Sequence, residues 1–495
     1  MLRDQSFNNA SSDRPTSTHN FAAKRLTKRH RIARATHIAV DAIASPFNDH
    51  GTVPHPAKTY ARPQSEGSLI DAEIYAHPVE GKWFATSYWT VTGSVLLGDG
   101  LLPHRLFQQF DTETEAVEAA GQRLINQTQN ALGELASQPD WANQLDSLRQ
   151  FVAKTVKDVR AKDTSLPLRG TTVIDLCAGV GAMAMGFTSH GAEVTLACEI
   201  DKHAQAVYQK NLNPARMHGD VCTLDGRKLV CDILTIGMVC TAFSKAGKQL
   251  GFEDPTLVLV YQSLLRLMTE IHAKVVIIEC APELLTQGGG SAADTVHKTL
   301  MRAGYRVQHR TLDAVGFGVP QFRNRSFIVA TRVGLPVDDV LGYVFPKAKT
   351  PTARVKDIIE PNVPGHIGAE EIVFKAPSKA AIKKRGTEVA AGRRMTVGYI
   401  GGSKSQGYRV MSIDGIGATM TATGGGRAPC TGAYLINGKA RGLTPREACR
   451  MQGFPEWFEH DKSPRQALKQ AGNAVAVPLI RELAHQLVGL LRPNS

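Results

Sequence analysis

The strongest constraint on the fold is the alternation of apolar, strand-length runs with helical segments between residues 171 and 332. The six runs are Thr172–Leu176, Glu193–Cys198, Ile233–Ile236, Val275–Glu279, Tyr305–Leu312 and Phe327–Thr331. Strands that are apolar on both faces are typical of a mostly parallel sheet covered by helices on either side. We therefore predict an α/β fold with a doubly wound sheet. Ligands of such sheets bind at the carboxyl ends of the strands, so the residues that follow each strand are the first functional candidates.

The rest of the chain divides by composition into four further segments. Residues 1–66 are rich in Ser, Thr, Asn and Pro, and six Lys or Arg residues crowd between Lys24 and Arg34, which predicts a disordered basic arm. Residues 67–165 contain two β-type runs and helical segments, and we predict a small α+β domain of unknown role. Residues 166–332 form the predicted catalytic domain, 333–440 a smaller basic domain, and 441–495 helices that complete the catalytic domain.

Charge and cysteine usage narrow the class of protein. The net charge is +13, and residues 332–440 alone carry sixteen Lys or Arg against eight Asp or Glu, which favours a polyanionic partner such as nucleic acid. The eight cysteines include no CxxC pair, so we expect no zinc ribbon and no metal. No apolar run is long enough to span a bilayer, and no signal peptide is apparent, so we expect a cytoplasmic protein without a membrane partner.

The first candidate site is the segment VIDLCAGVGAMAMGF at 173–187. Gly179 and Gly181 follow a strand and open a helix, where glycine lets the backbone approach a ligand, although a tight strand-helix turn explains the pair equally well. Glu199 ends the next strand and can accept hydrogen bonds from ribose hydroxyls. Its charge would repel a phosphate, so a nucleoside without phosphates fits better than a dinucleotide. Asp220 is a candidate for the adenine amino group.

Two further strands end in residues with catalytic potential. Cys240 lies in a loop just after Ile233–Ile236, where an exposed thiolate can act as a nucleophile. Glu279 ends an otherwise apolar strand, as either a satisfied structural acid or a catalytic proton carrier. Gln321, Arg323 and Arg325 alternate and share one strand face, which suits anion or base recognition, or half of a buried ion-pair network.

Seven motifs in this order resemble those of the DNA cytosine-5 methyltransferases. Besides the five sites above, RGLTPREACRMQGFP at 441–455 and GNAVAVP at 472–478 resemble the last motifs of that family. The resemblance implies the S-adenosylmethionine-dependent methyltransferase fold, with double-stranded DNA as partner and 333–440 as the target recognition domain. It also implies that Cys240 attacks carbon 6 of a flipped cytosine, that Glu279 holds the ring at N3, and that Arg325 contacts O2 beside Arg323 and Gln321.

The resemblance also assigns the remaining contacts. The residues that would hold S-adenosylmethionine are Asp175, Cys177, Gly179, Gly181, Glu199, Ile200, Asp220, Asn473 and Val475. The residues that would contact DNA are Ser244, Thr419, Thr421 and Arg427, of which the two threonines belong to a loop, TMTATGGG, near the flipped base.

The chain departs from the family pattern around the nucleophile. Val239 stands where proline is usual, which leaves the loop less restrained, and Cys280 stands where asparagine is usual. Cys177 replaces a common aromatic and Ala182 a common glycine. A non-catalytic DNA-binding relative and an RNA cytosine-5 methyltransferase are therefore kept as alternatives. We expect a monomer associated with the nucleoid, and the sequence does not reveal whether a restriction endonuclease accompanies it.

Overall fold

The computed structural model describes residues 58–62, 70–79, 81–91, 95–96, 110–131, 141–238, 255–286, 290–335, 343–361, 363–375 and 395–491. These residues form two compact units. The first comprises the described residues up to Leu124 together with 141–151, and the second comprises 125–131 and 152–491. Most of the predicted basic arm lies outside the described residues.

The first unit contains a four-stranded antiparallel sheet. Its strands, in sheet order, are β1 (Lys58–Ala61), β2 (Ile70–Val79), β3 (Lys82–Val91) and β4 (Val95–Leu96). Ala72, Ile74 and Ala76 are buried, and this period of two marks the inner face of β2. Strand β1 corrects the predicted arm, which was drawn to residue 66. Its four residues are held by backbone pairing with β2, a long-range contact that local composition cannot reveal.

Two long helices begin in the first unit and end in the second. They are α1 (Glu113–Ala131) and α2 (Trp141–Lys162). The hydroxyl of Thr112 accepts a hydrogen bond from the Glu115 amide at 3.1 Å, which caps the first helix. Among the described residues, no helix is both long enough and apolar enough to cross a membrane.

The second unit is built on a seven-stranded sheet with the order β10-β11-β9-β8-β5-β6-β7. The strands are β5 (Thr172–Leu176), β6 (Glu193–Cys198), β7 (Met217–His218), β8 (Val230–Gly237), β9 (His272–Cys280), β10 (Tyr305–Asp313) and β11 (Asn324–Arg332). All run parallel except β11, which is antiparallel to both neighbours. This confirms the predicted mostly parallel sheet. Strands β6 and β8 lie on opposite sides of β5, so the strand order reverses at β5, which leads into the glycine loop at 177–181.

Helices follow the strands of the second unit, and two of them, Pro255–Glu270 and Ser291–Arg302, contribute side chains to the core of this sheet. The helices are α3 (Ala182–Thr188), α4 (Lys202–Leu212), α5 (Pro255–Glu270), α6 (Ser291–Arg302), α7 (Pro445–Met451), α8 (Pro464–Asn473), α9 (Val477–His485) and α10 (Val488–Leu491). Helix α9 ends at His485, and α10 begins at Val488 as a separate helix. Helix α9 contacts α3 so closely that a Cβ on Gly186 would lie 2.4 Å from the side chain of Ile480.

Between β11 and α7 the chain forms a separate five-stranded sheet. Its strands, in sheet order, are β12 (Ile372–Phe374), β13 (Thr396–Ile400), β14 (Arg409–Ser412), β15 (Ala433–Ile436) and β16 (Lys439–Arg441). Only β14 and β15 pair in parallel. Strands of three to five residues are too short to display a periodic pattern. The sequence accordingly indicated only a change of character here, with no strands.

Candidate active site at the carboxyl edge of the sheet

The glycine loop turns sharply where β5 ends. Cys177, Gly179 and Gly181 all adopt positive φ angles of 51°, 55° and 86°. A Cβ on Gly181 would lie 2.3 Å from Leu212 Cδ1, whereas one on Gly179 would meet nothing within 4 Å. Gly181 is therefore required for packing against α4. Gly179 faces open space, where a ligand can approach the backbone.

Glu199 is fixed at this edge by the loop itself. Its carboxylate accepts hydrogen bonds from the Gly179 amide at 2.7 Å and the Asp201 amide at 2.8 Å. Each carboxylate oxygen keeps a second lone pair that can accept a hydroxyl. The next residue, Ile200, leaves 71% of its surface exposed, which is unusual for so large an apolar side chain. An acceptor beside an exposed apolar surface fits a nucleoside.

The remaining predicted cofactor residues differ in accessibility. Asp220 is half-buried, and its carboxylate accepts the Cys222 amide at 2.9 Å. Asn473, the last residue of α8, is exposed, whereas Val475 is buried. Asn473 and Asp220 therefore present polar atoms that a ligand can reach, while Val475 contributes to the wall behind them.

Asp175, one of the predicted cofactor residues, is held inside the protein by neighbouring side chains. Its side chain is fully buried, and it accepts hydrogen bonds from Thr235 at 2.6 Å and Tyr208 at 3.1 Å. Burial raises the pKa of Asp175 to about 7. The same burial raises the pKa of the Cys177 thiol well above its ordinary value, so this cysteine is a neutral group in the loop.

Glu279 and Arg325 meet at the carboxyl end of β9. Glu279 pairs in register with Gly237 at the end of β8, and its carbonyl oxygen accepts the Met238 amide at 2.8 Å. Arg325 reaches across from β11 and places its Nε 2.9 Å from the Glu279 carboxylate. Both side chains keep part of their surface exposed. At such an open edge, the carboxyl group can bind the nitrogen atoms of an amidine-like ring edge, and the guanidinium can donate to a neighbouring carbonyl oxygen.

Gly237 was not singled out from the sequence. A Cβ at this position would lie 2.7 Å from the Cys177 carbonyl oxygen, so only glycine allows β8 to end against the glycine loop. The segment that carries Cys240 and Ser244 starts two residues later. Both residues lie outside the described part of the chain, which stops at Met238 and resumes at 255.

Gln321 and Arg323, predicted beside Arg325 at the cytosine, are packed inside the protein. Both side chains are almost completely buried. The Arg323 guanidinium donates to the carbonyl oxygens of Met420 at 2.9 Å and Gly472 at 2.8 Å. Gln321 accepts the Met420 amide and donates to the Met451 carbonyl. These side chains join the segment before β11 to the threonine loop, TMTATGGG at 419–426, and to the C-terminal helices.

The predicted DNA contacts lie on the threonine loop and its surroundings. Thr419 donates to the Phe322 carbonyl at 2.5 Å, and Thr421 donates to the Thr423 carbonyl at 2.7 Å. Arg427 is half-exposed and forms an ion pair with Glu371 at 3.0 Å. The loop is pressed against α8, since a Cβ on Gly472 would lie 2.2 Å from the Thr421 carbonyl oxygen. The threonine loop therefore adjoins the end of the helix that carries Asn473.

Residues 171–489 match the family described as C-5 cytosine-specific DNA methylase. The chain belongs to this family. Curated relatives include the type II methyltransferase M.HhaI of Haemophilus parahaemolyticus, 32% identical over 65% of this chain and 95% of that protein. Another is M.PspPI of a Psychrobacter species, 30% identical over 71% of this chain and 87% of that protein. The crystal structure of S. pombe Dnmt2 methyltransferase covers 64% of this chain and 98% of its own, at 19% identity and a TM-score of 0.46.

Membership in this family identifies the reaction. The protein is a DNA cytosine-5 methyltransferase, with DNA as substrate and S-adenosylmethionine as methyl donor. The donor's chemistry fits the edge described above, where Glu199 offers an acceptor to ribose hydroxyls and Ile200 an apolar surface to adenine. Within the described residues there is no group of three or more His, Cys, Asp and Glu side chains suited to a metal ion.

Proposed function

We propose that the enzyme methylates a cytosine that is flipped out of duplex DNA, with Cys240 as nucleophile. The observation that carries this proposal is the Glu279–Arg325 pair at the end of β9, in register with the strand that leads into the Cys240 loop. A flipped cytosine presents N3 and its amino group on one edge and O2 beside them. Glu279 would hold N3 and the amino group, while Arg325 would donate to O2.

The proposed chemistry balances without a further reactant. The Cys240 thiolate adds to carbon 6, and proton donation at N3 by Glu279 allows electron density to reach carbon 5. S-adenosylmethionine supplies an electrophilic methyl group, which carbon 5 takes up. Transfer of the carbon 5 proton to water then expels the thiolate, the N3 proton returns to Glu279, the aromatic ring is restored, and S-adenosylhomocysteine leaves. Arg325 stabilises the charge that develops at O2 during the addition.

We further propose a division of labour among the other residues. The Gly179 backbone, Gly181, Glu199, Ile200, Asp220 and Asn473 would hold the donor. Thr419, Thr421, Arg427 and Ser244 would contact DNA, and the basic segment 333–440 would act as the target recognition domain by neutralising phosphates. Gln321 and Arg323 would position the threonine loop through the buried hydrogen bonds described above.

The cellular setting is part of the same proposal. Several relatives are named type II methyltransferases, so we propose that this enzyme protects a specific DNA sequence, with or without a cognate restriction endonuclease. We also propose that it acts as a monomer in the cytoplasm, at the nucleoid.

The decisive experiment is covalent trapping on duplex DNA that contains 5-fluorocytosine. Fluorine at carbon 5 cannot leave as a proton, so an active enzyme remains attached after methyl transfer. We expect a denaturation-resistant complex that requires S-adenosylmethionine and disappears in Cys240→Ala. Sequencing the trapped DNA identifies the target. Binding without any trapped complex would refute the proposal and favour a non-catalytic DNA-binding relative.

A further inference from the structure

The second unit includes a piece of chain that lies outside the family match. The match begins at residue 171, yet the end of α1, from Ile125 to Ala131, belongs to the same compact unit as the catalytic sheet. Ile125 and Thr128 within it are fully buried. This helix end is therefore built into the body of the enzyme, where its polar side chains can act on the elements around it.

Gln129 on this helix end bridges two distant elements. Its amide nitrogen donates to the Glu360 carboxylate at 2.8 Å, and its amide oxygen accepts from Arg450 Nη2 at 2.8 Å. We call residues 333–440 the recognition segment. Glu360 lies in its first part, after a short 3-10 helix, Val355–Ile358, and Arg450 lies on α7, after the end of the segment. Because both ends of the amide are used, the side chain is held in one orientation.

Glu360 belongs to a dense polar group that we call the junction cluster: Gln129, Glu360, Arg441, Thr444, Glu447, Arg450 and Glu456. Glu360 accepts the Thr444 hydroxyl at 2.6 Å, and its backbone amide donates to Glu447 at 2.7 Å. Glu447 is fully buried and receives two hydrogen bonds from Arg441 at 2.6 and 2.7 Å. Buried, charge-assisted bonds of this kind fix geometry strongly.

The junction cluster lies where the recognition segment joins the helices that follow it. Arg441 ends β16, and Arg450 also donates to the Ile358 carbonyl at 3.1 Å. Ile358 shares a hydrophobic core with Met451 and with Met420 of the threonine loop. A shift at the junction cluster is therefore carried through close-packed side chains to the loop proposed to lie near the flipped base.

We propose that Gln129 is a positioning residue for DNA recognition. It fixes the position of the recognition segment where this segment joins the second unit. The end of α1, which lies outside the family match, therefore contributes to DNA recognition. Without the Gln129 amide, Glu360 and Arg450 each lose a hydrogen bond in a partly buried setting. The two side chains then rearrange to find other partners, which moves the elements that carry them. Neither hydrogen bond of Gln129 involves the glycine loop or Glu199, so we expect the donor site to change little.

The test compares steady-state kinetics of the full-length enzyme and Gln129→Leu, with unmethylated high-molecular-weight DNA and S-adenosylmethionine. We expect the KM for DNA to rise about tenfold, as for a typical coupling between sites. The kcat and the KM for S-adenosylmethionine should stay close to their original values. Gln150→Leu makes the same change at an exposed position of α2 and should behave as the unaltered enzyme.

A double-mutant cycle connects the effect to the observed bond. Glu360→Gln should raise the KM for DNA similarly, and combining it with Gln129→Leu should add little. Gln129→Glu keeps the acceptor for Arg450 but removes the donor to Glu360. Because it also places a second carboxylate against Glu360, it should raise the KM for DNA at least as much as Gln129→Leu, and it supplies the readout if the leucine variant fails to fold. An unchanged KM for DNA would overturn the proposal, as would a parallel loss of kcat, both KM values and Tm.

Discussion

At the scale of single residues, burial separates groups that look alike in sequence. Asp175 and Glu199 are both acids at the ends of adjacent strands, yet Asp175 is enclosed by Thr235 and Tyr208 while Glu199 holds the glycine loop at the open edge. Arg323 and Arg325 are two positions apart, and only Arg325 keeps access to the site. Glu199 and Arg325 are therefore the members of the two pairs that a ligand at this edge can reach.

Asp175 makes the stability of the enzyme depend on pH. Its pKa is about 7 in the folded protein but 3.8 in the ordinary, unfolded setting, so the folded state retains a proton that the unfolded chain releases. Stability from this group is therefore greatest below pH 4 and is lost as the pH rises toward 7. Between pH 4 and 8, Asp175→Asn should gain about 4 kcal/mol relative to the unaltered protein. Urea unfolding at several pH values measures this, and parallel curves would contradict the assignment.

Gly237 tests how tightly the strand end fits the glycine loop. Gly237→Ala places a methyl group 2.7 Å from the Cys177 carbonyl oxygen, so β8 and the loop must separate beside Glu279. We expect a loss of stability of about 1 to 3 kcal/mol and a lower kcat. Gly489→Ala is the control, because a Cβ there meets nothing within 4 Å. Equal behaviour of the two variants in urea unfolding and methylation assays would show that the close approach is unimportant.

At the scale of elements, one buried arginine joins three parts of the second unit. Arg323 comes from the start of β11 and donates to the threonine loop at Met420 and to the end of α8 at Gly472. The loop is proposed to contact DNA, and the residue after Gly472 is the proposed donor contact Asn473. Arg323 thus contacts both the loop proposed to bind DNA and the helix end next to Asn473.

Arg323→Lys should therefore impair both substrates. A lysine ammonium cannot span the two carbonyl oxygens as the planar guanidinium does. We expect the KM values for DNA and for S-adenosylmethionine to rise together, each by about tenfold. Arg332→Lys, at the far end of the same strand, is a matched control because its guanidinium contacts Ala273 and Tyr305 instead. An effect of Arg323→Lys on only one substrate would contradict the proposed double role.

At the scale of the whole molecule, positive charge is concentrated in the segment 332–440, which holds sixteen Lys or Arg against eight Asp or Glu. DNA binding through phosphates releases counterions and weakens steeply with salt. The segment includes Lys383, Lys384 and Arg385, whose placement lies outside the described residues. Their contribution to the salt dependence of DNA binding follows from their charge alone.

Replacing Lys383, Lys384 and Arg385 by glutamine should reduce the salt dependence of DNA binding. Removing one bond to a phosphate lowers the slope of log K against log salt by about 0.9, and removing three lowers it by about 2.7. Fluorescence anisotropy with a labelled duplex at several salt concentrations measures the slope. The triple replacement Lys24→Gln, Lys28→Gln and Arg31→Gln makes an equal charge change in the N-terminal arm. An identical slope for both triple variants would argue against a special role of the recognition segment.

The sequence alone determined the catalytic sheet and the family. Six strands were predicted within a few residues of their observed bounds, because a strand buried on both faces must be apolar throughout. The glycine loop, Glu199 and Glu279 were predicted as site residues because ligands meet parallel sheets at their carboxyl edge, and the structure places them with Arg325 at that edge. The order of seven motifs then indicated the DNA cytosine-5 methyltransferases, and the family match confirmed it.

Only the tertiary structure decided which polar residues are accessible and which are structural. The burial of Asp175, Gln321 and Arg323 results from segments that lie far apart in the chain, such as Met420 and Gly472. The short strands of the recognition sheet, β1 and the contacts of Gln129 likewise depend on partners that are distant in sequence. Periodicity records which face of a segment is buried, but it holds no information about the partner that covers that face. For this reason the function could be inferred from the chain, whereas the positioning of its parts required the fold.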